Sequence, residues 1–175
     1  MININFPKSL AWVLISEGGN DDDPDDSGGR THNGITQREY DAYCKMAGLP
    51  HGDVWKCPDP VRDDIYYKSY WFPYCDNMPA GVDYVFFDIN VNMGLHEAAL
   101  ILQRALGVAA DGHIGAVTSA ALSEAEPNKL IDAMAAESVK VYKAIERAHP
   151  VDVKFDRGWM IRVAERTKRA HSLVT

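Results

Sequence analysis

Residues 6–36 read FPKSLAWVLISEGGNDDDPDDSGGRTHNGIT, an apolar helical pattern that runs into an acidic loop rich in glycine. Apolar residues recur along its first half at helical spacing: Phe6, Leu10, Val13 and Leu14. Glu17 continues the same stripe. The pattern predicts an amphipathic helix that ends at the two glycines of residues 18–19, because glycine readily adopts the backbone of a helix cap. Glu17 is therefore expected on the last turn, facing inward.

This position gives Glu17 the properties of a general acid. A carboxyl group held against apolar side chains loses hydration in its charged form, so its pKa rises and it keeps its proton nearer neutral pH. Asp26 follows nine positions later, and the glycines at 28–29 allow the loop to fold back so that Asp26 and Thr31 face the helix end. Two carboxylates across a cleft are the usual means of cleaving a glycosidic bond. The segment therefore predicts an acid-catalysed hydrolase.

Two other interpretations of the same segment stay open. A glutamate on an apolar face can be a buried salt-bridge partner, and a cluster of aspartates can be solvated or bind calcium. Calcium is the weaker alternative. An EF-hand loop needs glycine at position six and glutamate at position twelve, and neither the register from Asp21 nor that from Asp23 supplies both.

Composition limits the class of protein. The chain has 175 residues, 46% of them hydrophobic, which suffices for one well-buried domain or two small abutting ones. The apolar run at residues 10–15 is too short for a membrane span, and the first residues lack the basic region and cleavage site of a signal peptide. We therefore expect a protein that is cytosolic when made and does not insert into a membrane. Three cysteines without paired metal spacing indicate reduced thiols, and we expect neither a metal nor an organic cofactor.

Charge is unevenly distributed along the chain. The net charge is -7, yet the segment from Lys154 to Arg169 contains six basic residues and only two acidic ones. A basic C-terminal helix can meet nucleic acid, an anionic envelope polymer or only the acidic loop of its own fold, and the internal partner is the favoured interpretation. The acidity of the whole chain argues against a nucleic-acid-binding protein.

The rest of the sequence predicts a chain of helices. Helical patterns cover residues 36–46, 60–72, 83–93, 98–106, 118–123 and 127–149, followed by a final helix with Phe155, Trp159 and Val163 on one stripe. Thr36 precedes Glu39 by three residues, which predicts a capping box and a structural role for Thr36.

Some polar and aromatic residues in these helices have two interpretations. Tyr70 and Trp71 belong to an aromatic-rich segment that is mostly core material, although both could border a sugar groove. Asp88, Asn90 and Asn92 lie within a dense apolar pattern and need hydrogen-bond partners. They either hold the structure together or line the cleft, and the structural role is the favoured one for each.

An ordered set of motifs resembles glycoside hydrolase family 108, the lysozyme-like N-acetylmuramidases of phage endolysins. The motifs are Glu17-Gly18-Gly19, Asp26-x-Gly28-Gly29-x-Thr31-x-Asn33-Gly34-Ile35-Thr36, Asp88-x-Asn90-Val91-Asn92-x-Gly94 and Phe155-x-x-Gly158-Trp159. The stretch from Leu102 to Thr118, with Asp111-Gly112-x-Ile114-Gly115 inside it, resembles the peptidoglycan-binding module that follows the catalytic part in this family. Together these motifs span nearly the whole chain.

The resemblance implies a fold and a division of labour. It implies a mainly α fold of the α+β lysozyme-like kind: a helical bundle with a glycine-rich acidic loop or short hairpin at the active site. Residues 1–93 would form the catalytic region. Residues 94–175 would form a peptidoglycan-binding helical region, packed against the first as one compact unit.

The resemblance also implies a reaction. The substrate would be peptidoglycan, cut between N-acetylmuramic acid and N-acetylglucosamine, with Glu17 as general acid. The step from Glu17 to Asp26 is also similar to the Glu-x8-Asp-x5-Thr arrangement of another phage lysozyme family, in which the aspartate and the threonine manage the water or the developing positive charge. Thr31 lies one residue early for that pattern and is a candidate for positioning the water. Residues expected to bind substrate are Asn20, Asn33, Tyr70, Trp71, Asn90 and Asn92. Asn20 stands where the family commonly has an aromatic residue, so the sugar beside Glu17 would be held differently. A lytic transglycosylase and a non-catalytic wall-binding module are the alternatives.

The resemblance to phage lysozymes also implies a cellular location and a partner. The protein would be a monomer that stays in the host cytoplasm until a phage holin permeabilises the membrane, and it would then act on the cell wall or in the periplasm to lyse the host.

Overall fold

The computed structural model describes residues 4–17, 20–21 and 30–174, and of residues 17, 20, 21, 150 and 153 it describes the backbone alone. Within this part of the chain the predicted mainly α fold is confirmed. The helices are α1 (Phe6–Glu17), α2 (Gln37–Ala47), α3 (Asp59–Tyr66), α4 (Val82–Met93), α5 (Leu95–Leu106), α6 (Ala116–Glu124), α7 (Pro127–Ala148) and α8 (Asp156–His171). The strands are β1 (Asn20–Asp21), β2 (Thr31–His32) and β3 (Ile35–Thr36). None of the described helices is both long enough and apolar enough to cross a bilayer.

The chain divides into two compact units, and the first is Phe6–Phe72. Its core forms on the predicted apolar stripe of α1, where Phe6, Leu10 and Val13 are buried. The Phe6 ring makes edge contacts with the rings of Tyr67 and Trp71, with centroids 5.1 and 5.3 Å apart. Aromatic pairs favour such edge-to-face geometry. The amphipathic pattern of α1 thus selects the face that builds this core.

The helix predicted over residues 60–72 changes its geometry partway. Regular α-helix stops at Tyr66, and Tyr67–Trp71 form a wider π-helical turn that closes when the Phe72 amide donates to the Tyr67 carbonyl at 2.8 Å. A π turn takes one extra residue and so shifts the register of the side chains that follow. Trp71 at its end is fully buried.

A small antiparallel sheet follows α1, with the strand order β1-β2-β3. Asn20 pairs with His32 and Asp21 with Thr31, while Thr31 and His32 pair on their other side with Thr36 and Ile35. The turn between β2 and β3 is Asn33-Gly34, with φ of 49° and 78°. Positive φ at both positions is what a two-residue hairpin turn requires, and Asn-Gly is its preferred sequence. A short hairpin thus directly follows the glycine-rich acidic loop in the sequence, and residues 22–29 of that loop lie outside the described residues.

Helix α2 begins with the predicted capping box. The Thr36 hydroxyl accepts a hydrogen bond from the Glu39 amide at 3.2 Å, and the Glu39 carboxylate accepts one from the Thr36 amide at 2.9 Å. Two amides of the first turn are thereby satisfied. Strand β3 therefore leads directly into a fixed helix start, and the predicted structural role of Thr36 is confirmed.

The second unit comprises residues 73–174 together with residues 4–5. Helix α4 is its centre, since every residue from Val82 to Asn90 is buried. A helix that is buried on all sides needs neighbours on all sides, and α5, α7 and α8 pack against it. The largest fully buried side chains of this unit include Phe86, Phe87, Ile101, Ile131 and Met134.

Candidate active site

The end of α1 lies next to the hairpin. Only three peptide steps separate Glu17, the last residue of α1, from Asn20, the first residue of β1, so their Cα atoms are at most about 11 Å apart. Asn20 lies opposite His32, and Asp21 lies opposite Thr31. The helix end that carries the predicted acid is therefore held to the strand that carries Thr31.

Trp55 and Arg30 hold strand β2 in place through the Thr31 carbonyl. The Trp55 indole nitrogen donates to the Thr31 carbonyl at 3.0 Å. The Arg30 guanidinium lies 4.0 Å from the centre of the Trp55 ring, and its Nη1 also pairs with an Asp53 carboxylate oxygen at 3.2 Å. A cation over an indole ring is attracted by the electrons of its face. Residues 53–55 thus form a wall beside Thr31.

Gln37 holds this wall to the first turn of α2. Its side-chain oxygen accepts from the Val54 amide at 2.9 Å, and its side-chain nitrogen donates to the Gly52 carbonyl at 2.8 Å. The Gln37 amide in turn donates to the Arg30 carbonyl at 2.9 Å. One residue therefore ties the start of β2, the wall and the helix together. Arg30, Gln37 and Trp55 were not predicted from the sequence, where a lone tryptophan in a connection rich in proline and glycine was the one available signal.

Two tyrosines support the other side of the hairpin. The Tyr66 hydroxyl donates to the Asn33 carbonyl at 2.6 Å, within the turn. The Tyr70 hydroxyl donates to the Glu39 carboxylate at 3.0 Å, and the two tyrosine rings lie 5.5 Å apart. Tyr66 is buried whereas Tyr70 is half-buried. Thr31, Asn33 and Tyr70, three of the predicted site residues, therefore share one hydrogen-bonded framework.

The other predicted catalytic and substrate-binding residues have different positions. The Glu17 and Asn20 side chains and the whole of Asp26 lie outside the described residues. Trp71 is 0% exposed, so its ring presents no face to a sugar, and the prediction of a substrate-binding role is corrected to a core residue.

Asn90 and Asn92 belong to the second unit. Asn90 is buried, whereas Asn92 is exposed and accepts a hydrogen bond from the Tyr142 hydroxyl at 2.9 Å. This bond gives Asn92 a structural partner on α7. Binding of substrate by Asn90 and Asn92 stays a prediction.

Asp88 holds the basic C-terminal helix. One of its oxygens pairs with Arg162 at 3.1 Å, and the other pairs with Arg166 at 3.0 Å. Arg166 also donates to the Ser138 hydroxyl at 2.8 Å. The basic helix thus has an internal partner in Asp88 of α4, and the structural role favoured for Asp88 is confirmed. Residues 22–29 of the acidic loop, the internal partner expected from the sequence, lie outside the described residues. Nowhere in the described part of the chain do three His, Cys, Asp or Glu side chains group to hold a metal ion.

Comparisons with known proteins define the class. Residues 10–94 match the family described as Glycosyl hydrolase 108, and residues 97–164 match the one described as Predicted Peptidoglycan domain. The solved structure of SagA from Brucella abortus is 30% identical in sequence, with a TM-score of 0.76 over 97% of this chain and 95% of that chain. The class is that of glycoside hydrolases acting on peptidoglycan.

Within that class, the chain belongs to the glycosyl hydrolase 108 family, and the matched region is followed by a peptidoglycan-binding region. A comparison with curated proteins gives no match.

Proposed function

We propose that this protein is an N-acetylmuramidase that hydrolyses the bond between N-acetylmuramic acid and N-acetylglucosamine. The supporting observation is the pairing of β1, which begins three residues after Glu17, with β2, the strand that carries Thr31. Both residues lie inside the region that matches glycosyl hydrolase 108. In this proposal Glu17 is the general acid, and Asp26 and Thr31 act on the water or on the developing charge.

The proposed reaction has two parts. Protonated Glu17 donates its proton to the glycosidic oxygen, the bond to the muramic acid breaks, and positive charge develops on the sugar ring. The Asp26 carboxylate and the Thr31 hydroxyl stabilise that charge or orient a water molecule, which adds to the anomeric carbon and loses a proton. Asn20, Asn33 and Tyr70 are proposed to contact the sugars, since Asn33 and Tyr70 lie half-buried on the framework of the hairpin.

The substitution Glu17→Gln tests the acid directly. It keeps the shape of the side chain and removes the proton donor, so turnover of purified cell wall should fall by roughly 10²- to 10⁴-fold. Glu124→Gln is the matched control, because Glu124 is exposed on α6, and it should leave turnover unchanged. Wild-type-like turnover by Glu17→Gln would contradict the proposal that Glu17 is the general acid.

Two other functions give different results in the same assays. A lytic transglycosylase would release anhydro-muramic products. The second alternative is a non-catalytic wall-binding module, and the match of residues 97–164 to a peptidoglycan domain is the observation that supports it. Such a module would bind the wall equally well with and without Glu17→Gln, and its wild type would release no sugar.

For the cellular role we propose host lysis, on the basis of the resemblance to phage endolysins. The protein would act as a monomer and would reach the wall after a holin permeabilises the membrane, without direct contact with the holin. Cells that produce the protein should therefore remain intact until their membrane is permeabilised from outside. Lysis of cells that make the protein alone, with the membrane undamaged, would contradict this role.

A further inference from the structure

A cavity of about 490 Å³ lies in the second unit, and its described lining includes none of the residues assigned to catalysis. One side of it is the segment around the 3₁₀ turn Cys75–Asn77, and the other is helix α6 with Ile114. Its volume falls in the range of cavities that hold small ligands, roughly 300–1,000 Å³.

The floor of the cavity is aliphatic. Met78 and Leu122 are buried and form this floor, together with half-buried Ile114. Such a floor takes up a methyl group and offers no hydrogen bond from a side chain. Small-ligand sites usually combine a surface of this kind with a few polar groups that orient the ligand.

Uncharged polar groups line the rim. The hydroxyls of Tyr74 and Ser119 make no hydrogen bond within the described residues. The Tyr74 ring packs against Phe86 with the ring centres 6.1 Å apart, which holds its hydroxyl in place. The Asn77 side-chain nitrogen donates to the Pro73 carbonyl at 3.4 Å, and this leaves the side-chain oxygen as an acceptor. The rim can therefore both donate hydrogen bonds and accept them.

The wall that carries Ile114 is rigid before any ligand binds. Gln103 is buried, and its side-chain nitrogen donates to Asp111 at 2.8 Å and to the Thr118 hydroxyl at 3.2 Å. Its side-chain oxygen accepts from the Gly112 amide at 2.9 Å. This network fixes the loop between α5 and α6. A preformed wall reduces the entropy that binding would cost.

The charge of the cavity excludes an anionic ligand. None of the described residues that line it is basic, and Asp76, the charged residue among them, already has an interaction within the protein. A bound carboxylate would lose hydration here without gaining a cationic partner, which is unfavourable. The stem peptide of peptidoglycan carries several carboxylates, whereas N-acetylglucosamine is uncharged. Of these two parts of the polymer, the cavity therefore suits the sugar.

We propose that this cavity binds N-acetylglucosamine of the glycan strand, as a second glycan site in addition to the catalytic one. The acetamido methyl group lies on Met78 and Leu122, and the sugar hydroxyls bond to Tyr74 and Ser119. The wall of residues 114–123 belongs to the region that matches a peptidoglycan domain. The inference rests on the proposed function only in taking peptidoglycan as the substrate.

An NMR titration of the protein with N,N′-diacetylchitobiose tests the proposal. The full chain carries Glu17→Gln so that the disaccharide is not cleaved, and the amide signals of residues 74–79 and 114–123 should shift to saturation. Signals of the hairpin report binding at the catalytic site separately.

Ser119→Trp should weaken binding at the cavity by about tenfold or more, because the indole occupies the space of the ligand. Ala120→Trp is the matched control, since Ala120 is exposed on the same helix and is not among the described residues that line the cavity. Both variants should show the same shifts at the hairpin.

Two further ligands test the chemical class. Cellobiose has hydroxyls in place of the acetamido groups, so it should bind the cavity about tenfold more weakly. The stem tripeptide L-alanyl-γ-D-glutamyl-diaminopimelate should leave the signals of both cavity walls unchanged.

Four results would overturn the proposal: no shift of the cavity walls with diacetylchitobiose, equal affinity of Ser119→Trp and Ala120→Trp, equal affinity for cellobiose, or binding of the tripeptide at the cavity walls. The failure of the proposed function would look different, because it would appear as wild-type turnover in Glu17→Gln, whatever the cavity binds.

Discussion

At Thr31 the backbone and the side chain have separate tasks. The backbone pairs with β1 and β3, and its carbonyl accepts the indole N–H of Trp55. The hydroxyl makes no hydrogen bond within the described residues, and the side chain is half-buried. The backbone contacts fix the position of the strand and so hold the hydroxyl in place, although no described residue is its hydrogen-bond partner.

Thr31→Val tests the proposed role of this hydroxyl. Valine keeps the shape and suits a β-strand, so the melting temperature should stay close to that of the wild type. Turnover of cell wall should fall by about 10- to 100-fold, less than for loss of the acid itself. Thr31→Ser should restore most of the activity. Full activity of Thr31→Val would leave Asp26 as the sole proposed partner of Glu17.

Asp83 makes the free energy of unfolding depend on pH in the acid range. Burial raises its pKa above the ordinary 3.8, although it accepts hydrogen bonds from Asn5 and from the Tyr84 and Gly81 amides. An acid with a raised pKa in the folded state holds its proton more tightly when folded. Its contribution to the free energy of unfolding is therefore fully present below pH 3.8 and is lost as the pH rises through the raised pKa.

Asp83→Asn should remove that dependence on pH. In denaturant unfolding at several pH values from about 3.5 upward, the wild type should lose stability with rising pH relative to the variant, and the difference should level off above the raised pKa. All other carboxyl groups are common to both proteins and cancel in the comparison. Parallel stability profiles would contradict the pKa shift of Asp83.

At the scale of elements, α4 and α8 are joined by a buried ionic cluster. Asp88 and Arg166 are 2% and 1% exposed, and Arg162 shares the same carboxylate. Removing one member of such a cluster leaves the others charged without compensation, which costs far more than breaking an exposed pair. The cluster therefore makes the docking of α8 depend on Asp88.

Asp88→Ala should lower the free energy of unfolding by about 3–5 kcal/mol. The control is Glu97→Ala, which removes a more exposed carboxylate 3.4 Å from Arg104 and should cost at most about 1 kcal/mol. Chemical denaturation of both variants measures the difference. Equal losses would contradict the view that the cluster holds α8.

Most helices could be predicted because each carries local signals. These signals lie within one or two helical turns: the apolar stripe of Phe6 and Leu10, the capping box of Thr36 and the glycine at 48 that ends α2. Helices α1 and α2 accordingly have the expected bounds to within about one residue. The π turn could not be predicted, since it depends on how Trp71 packs against Phe6. The strands are only two residues long, and Asn33-Gly34 was their one local signal.

The candidate site was predictable only in part, for a related reason. Thr31 and Asn33 lie in a local motif, so the sequence indicates them. Trp55 lies 24 positions from Thr31 and contacts its carbonyl through the fold, and Gln37 likewise bridges to Val54 from 17 positions away. Such long-range contacts leave no pattern in one sequence. They could be assigned only once the wall and the hairpin were seen together.

At the scale of the whole molecule, the sequence matches and the compact units divide the chain at different places. The matches meet between residues 94 and 97, whereas the units divide between Phe72 and Pro73. Helix α4 explains the difference, because it belongs to the first match yet is buried by helices that follow it in sequence. The assignment of wall cleavage to residues 1–93 and wall binding to residues 94–175 stays a prediction.

The central claim is that this molecule cuts the glycan strand by hydrolysis at muramic acid, with Glu17 as the acid. Digestion of purified peptidoglycan in water labelled with oxygen-18, followed by mass spectrometry of the fragments, tests it most directly. The wild type should yield fragments that end in reducing N-acetylmuramic acid with one labelled oxygen, and Glu17→Gln should yield almost none. Unlabelled anhydro-muramic ends, or labelled ends on N-acetylglucosamine, would contradict it.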